Sequence, residues 1–94
     1  MTNEALRLTA RITGVVQGVG FRYWTARRAE ELVLRGTVRN NHDGSVQLIA
    51  EGSAADVDSL VKWLHSTRAP GRVEKVEFEV SDGTGEFDDF QIVD

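Results

Sequence analysis

The chain has 94 residues, a formal net charge of −4 and no cysteine, which allows one compact domain and excludes disulfides, thiolate metal sites and cysteine nucleophiles. Its 11 Lys and Arg against 15 Asp and Glu are scattered, a poor match for a nucleic-acid backbone. No apolar run approaches the ~20 residues that span a bilayer, and Met1-Thr2-Asn3-Glu4 lacks a secretory pattern. The expectation is a single cytoplasmic domain over residues 1–94, with neither nucleic acid nor membrane as partner.

Residues 6–13 alternate strictly, with Leu6, Leu8, Ala10 and Ile12 on one side and Arg7, Thr9, Arg11 and Thr13 on the other. This period of two predicts a half-buried strand. It ends at Gly14, where a glycine-rich stretch runs to Gly20. After Phe21 the period changes: Ala26, Ala29, Leu32 and Val33 share one helical stripe, with Arg27, Arg28, Glu30 and Glu31 on the polar side. A short strand follows over residues 37–40, then the turn Asn41-His42-Asp43-Gly44, whose Asp-Gly step suits a tight hairpin. The returning strand, residues 45–51, points Val46, Leu48 and Ala50 inward.

Ser53, with Asp56 three residues on, approximates a capping box at the start of a second helix. Val57, Leu60, Val61 and Leu64 form its apolar stripe, and Pro70-Gly71 breaks the chain beyond it. A fourth strand covers residues 72–80, with Val76, Phe78 and Val80 opposite Lys75, Glu77 and Glu79. After a turn at residues 81–85, residues 87–93 form a weaker last strand. The order βαββαβ plus one C-terminal strand indicates an α+β, ferredoxin-like sandwich, an antiparallel sheet with two helices on one face. No exposed apolar face is evident, so a monomer is expected.

The segment Gly14-Val15-Val16-Gln17-Gly18-Val19-Gly20-Phe21-Arg22 joins the first strand to the first helix. Glycines there let successive N–H groups converge on one point, and the helix start adds unpaired amides and partial positive charge. Arg22 adds a planar fork of donors. A phosphate-sized anion would fit; so would a plain strand-to-helix turn. The segment is neither a Walker A motif nor a dinucleotide fingerprint.

The run G-V-V-Q-G-V-G-F-R, followed by Tyr23-Trp24, closely resembles the acylphosphatase signature. The downstream G-T-V-R-N-N-H-D-G-S-V resembles that family's second signature, and the similarity continues through A-E-G, W-L and V-E-K-V-E-F-E, covering nearly the whole chain. The resemblance implies hydrolysis of carboxyl–phosphate anhydrides without metal, cofactor or covalent intermediate. It implies that the backbone of Val16, Gln17, Gly18, Val19, Gly20 and Phe21, together with the Arg22 side chain, cradles the substrate phosphate or another anion. It also implies that Asn40 orients the attacking water.

Other residues compete for roles. His42 is a tempting general base but falls in an exposed turn to which the family pattern gives no role. His65 reads as a solvated residue near a helix C-terminus. Strand alternation aims Asn41 away from Asn40. Trp63 and Phe78 read as packing or amphipathic residues, and Glu74, Glu77 and Glu79 as a solvated strand face. Many relatives carry glycine at the position of Val33; valine tolerates a left-handed helix cap poorly, so the helix end is expected to be built differently here. Thr37 stands where tryptophan is frequent in relatives, and the C-terminal residues 90–94 lack the usual basic or aromatic ending.

Two alternatives share the topology. One is an anion-binding regulatory module without activity, separated from the enzyme only by Arg22 with Asn40. The other is an RNA-recognition module, but no strand carries the aromatics that would stack bases. A related domain opens the large hydrogenase-maturation carbamoyltransferases; this chain ends where that domain would, favouring a free-standing enzyme.

Overall fold

The computed structural model describes residues 5–94, in the order β1 (Leu6–Val15), α1 (Phe21–Glu31), β2 (Arg35–Asn40), β3 (Val46–Gly52), α2 (Ala54–Leu64), β4 (Arg72–Asp82) and β5 (Phe90–Val93). The alternation of β1 is realised: Leu8, Ala10 and Ile12 are buried, and Arg11 is exposed. Val46, Leu48 and Ala50 on β3 face the same core. The helices supply Phe21, Ala26, Ala29, Val57, Leu60 and Leu64 from above. Burying a large side chain contributes roughly 1.5–3 kcal/mol, so this shared face holds the two layers together.

The sheet order is β4-β1-β3-β2-β5. The first four strands pair antiparallel, as expected, but β5 pairs parallel with β2, making the sheet mixed. The reason is the path of the chain. Leu6 on β1 opposes Asp82, the last residue of β4, and Arg7 shares the partner Glu51 with Arg35, the first residue of β2. A connection that stays at that end of the sheet must therefore enter β5 in the direction of β2. Phe90, buried to 7% exposure, anchors it.

Three further differences have local causes. β5 is shorter than the expected strand and β4 longer, because residues 83–89 are spent crossing the sheet end. Val33 does not share the buried stripe of α1; it is 75% exposed. It takes the left-handed conformation itself (φ 57°), with Val33 N–H donating to the Glu30 carbonyl and Leu34 N–H to the Ala29 carbonyl, a Schellman ending. The helix end is thus built in the usual way, with valine where glycine is favoured. Finally, α2 lies mainly over β1 and β3. Edge strand β4 extends past it, leaving Phe78 and Val80 about half exposed. The expectation of no exposed apolar face is overturned at these two residues.

Candidate active site

Register brings the candidate residues to one end of the sheet. Ile12 on β1 and Asn40 on β2 both oppose Val46 on β3, so Asn40 lies in the last row that β1 shares with β3, three residues before β1 ends at Val15. Alternation puts Asn40 on the face of Val38, which is fully buried under the helices. The loop returns onto that same face as α1.

The loop is pinned at both ends and open between. Val16 and Phe21 are each 1% exposed, whereas Gly18, Val19 and Gly20 face solvent. Gly18 (φ 77°) and Gly20 (φ 80°) hold left-handed conformations that side chains adopt at a cost. Gly20 is also the N-cap of α1, and no side chain caps the helix or places an acid in its first turn. Among the described residues, the amides of Val16, Gln17, Gly18, Val19, Gly20 and Phe21 donate to no protein acceptor. Orphan amides at a helix start, in a segment with two left-handed glycines, are chemically suited to an anion.

Arg22 follows at once. Its Nη1 donates loosely, at 3.5 Å, to the Val93 carbonyl of β5, and no carboxylate among the described residues pairs with it. Its remaining donors are uncommitted. Asn40 is likewise uncommitted: its Oδ1 is buried without a hydrogen-bond partner. A buried unsatisfied amide oxygen costs about 1–3 kcal/mol, and such groups concentrate where a ligand supplies the missing bond.

Neighbouring Asn41 is spent on the hairpin. Its N–H donates to the Ser45 carbonyl at 2.8 Å and its Nδ2 to Ser45 Oγ at 2.9 Å. His42 is exposed in the turn. The hydroxyl and amide of Ser45, with the Arg11 guanidinium, hold the Asp43 carboxyl well below its usual range, so it remains an acceptor and ion-pair partner.

One feature was not legible in the glycine pattern. The side chain of Gln17 donates from Nε2 to the carbonyls of Asn41 (2.8 Å) and Ser45 (2.9 Å), tying the loop to the hairpin that carries Asn40. The only signal was a lone long amide inside a glycine-rich loop, where an amide can satisfy two carbonyls at once. Among the described residues no group of three or more His, Asp or Glu is placed to hold a metal, and no helix is long and apolar enough to cross a membrane.

The acylphosphatase family model matches residues 8–92. A curated acylphosphatase of Paenarthrobacter aurescens (strain TC1) is 81% identical over 94 residues, covering 100% of both chains. One from Arthrobacter sp. (strain FB24) is 57% identical over 90 residues, covering 96% of this chain and 83% of the relative. The crystal structure of acylphosphatase from Bacillus subtilis superposes with a TM-score of 0.84 at 31% identity, over 94% of this chain and 98% of that one. With sequence match end to end and the same sheet and helices, the chain belongs to the acylphosphatase family.

Proposed function

We propose that the chain hydrolyses acyl phosphates to a carboxylate and inorganic phosphate, with the phosphate held by Arg22 and the loop amides and the water oriented by Asn40. The observation that supports this reading is that the loop amides, the Arg22 guanidinium and the Asn40 oxygen are left largely without protein partners, while Gln17 ties the loop to the hairpin that carries Asn40.

The chemistry asks for little more. A carboxylate is a good leaving group, so phosphoryl transfer needs mainly positioning and stabilisation of charge on the equatorial oxygens. The amides of residues 16–21 and the Arg22 fork meet those oxygens. Asn40 Oδ1 accepts a hydrogen bond from water and aims its lone pair at phosphorus. The new P–O bond forms as the bond to the acyl oxygen breaks, the electron pair leaves with the carboxylate, and a phosphate oxygen takes the water's proton. No group in this sequence of events need act as a strong base.

The same reading takes residues 1–94 as one domain, supported by the end-to-end match to a relative of equal length. It is a cytoplasmic monomer working without metal or cofactor. Glu77 and Glu79 on the free edge of β4 support the monomer, because charge on an edge strand opposes pairing with a second copy.

The test is hydrolysis of benzoyl phosphate in EDTA by wild type, Asn40→Ala and Arg22→Gln, with circular dichroism as the folding control. Wild-type turnover is expected, falling on the order of 10²–10³-fold in each variant with the fold intact. An inactive wild type that still binds phosphate would leave only the anion-binding regulatory module.

A further inference from the structure

Away from the loop, the outer surfaces of α1 and α2 meet in two adjoining depressions of about 300 and 140 Å³ that share Arg28, Trp63 and Arg68. Lys62 completes the larger, and Trp24 and Arg27 the smaller. Four of the 11 cationic residues of an acidic chain thus ring one groove, together with both of its tryptophans. The sole acid lining it is Glu31, already held by Arg28 at 3.2 Å.

A solvated helix surface accounts for part of this. Arg28 and Lys62 sit in the last turns of their helices, where a cation is favoured, and Lys62 pairs with Asp58 at 2.9 Å. That explanation does not reach Arg68, which lies beyond α2 and forms no salt bridge among the described residues, nor Arg27, whose cation sits 5.9 Å from the Trp24 ring. Nor does it explain why Arg28 Nε is buried in the groove without a hydrogen-bond partner. A buried guanidinium N–H without a protein acceptor carries a desolvation cost. Ser59 adds a hydroxyl to the larger depression, while the Ser66 hydroxyl donates to the Trp63 carbonyl and accepts from the Arg68 N–H. Three cations and a free hydroxyl around one concavity match the many acceptors of a phosphate group.

We infer that this groove binds a phosphate-bearing anion at a second site, distinct from the loop and independent of the proposed hydrolysis. The groove nonetheless adjoins the loop, since an added Cβ at Gly20 would meet Trp24 Cδ1 at 3.6 Å.

The two tryptophans make the groove its own reporter. Pyrophosphate is titrated into uniformly ¹⁵N-labelled full-length protein, following the two indole N–H resonances, with sodium chloride at matched ionic strength as reference. The expected result is a saturable shift of the Trp63 indole in wild type and equally in Arg22→Gln, in which the loop is impaired. Arg68→Gln, in an exposed turn, should weaken it roughly tenfold, the loss of one charge-assisted hydrogen bond; Arg27→Gln should weaken it less. The inference is overturned if the Trp63 resonance does not move, if sodium chloride moves it equally, if Arg22→Gln abolishes the shift, or if Arg68→Gln leaves the affinity unchanged.

Discussion

At Val33 a backbone φ of 57° brings a β-branched side chain against the following carbonyl, a conformation that costs an L-residue about 1–2 kcal/mol. The side chain is 75% exposed and contributes little packing in return. Val33→Gly should therefore stabilise the chain by about 1 kcal/mol, the relief of strain being partly offset by glycine's larger unfolded-state entropy. The check is urea denaturation, with a higher midpoint at unchanged m and a Tm higher by about 4–8 °C. Asn40 presents the opposite case. Its unsatisfied oxygen is a cost borne at the candidate site, so the Asn40→Ala variant used to test activity should melt no lower than wild type. Both residues could be singled out from sequence by resemblance. That the left-handed cap forms in spite of valine is a tertiary outcome, because the buried neighbours Ala29 and Leu34 fix the path of the chain through it.

Among the elements, the loop and the β2–β3 hairpin must keep their spacing for Arg22 and Asn40 to act on one substrate. Gln17 is the direct side-chain tie between them, bonded to the Asn41 and Ser45 carbonyls. Gln17→Ala should lower kcat/KM for benzoyl phosphate about tenfold, the loss of one to two net hydrogen bonds, while denaturation shifts little. A stability loss large enough to explain the activity would instead show that Gln17 merely holds the fold. The elements themselves were largely readable, since β1, β3 and α2 each carry an unambiguous period. α2 even begins as read: Ser53 Oγ accepts from Asp56 N–H, although the Asp56 carboxylate takes the Ser53 hydroxyl rather than closing the box through the Ser53 backbone. The last strand was readable as a weaker strand, but a four-residue strand has too few alternations to reveal its partner or direction.

For the molecule as a whole, the end of the sheet opposite the candidate site is closed by Glu51. Its carboxylate accepts from the Thr84 and Gly85 amides, both at 3.0 Å, from the Thr84 hydroxyl at 2.9 Å and from Arg7 at 3.3 Å. Burial alone pushes this carboxyl up, but the bonds from Thr84, Gly85 and Arg7 outweigh it and hold it below the ordinary value of 4.5. A depressed folded-state value means the stabilisation is fully present above about pH 4.5 and is lost as pH falls through the folded value. Urea midpoints should therefore drop as pH falls below the ordinary carboxylate value of 4.5. Glu51→Gln should be less stable at pH 7 by about 1–3 kcal/mol and should show a shallower acid dependence. Equal acid slopes in the two proteins would place the acid sensitivity elsewhere.

Periodicity along the chain was enough to place the strands, the helices and most of their inward faces, though not every boundary, because a strand or helix buries one side and its sequence must repeat at its own pitch. The two signatures were enough to point to Arg22 and Asn40 as candidates. Only the tertiary structure decided the parallel seat of β5, the bare inner face of β4 at Phe78 and Val80, the buried carboxylate of Glu51 and the cationic groove between the helices. These depend on which segments meet across long stretches of chain, and no local period records that.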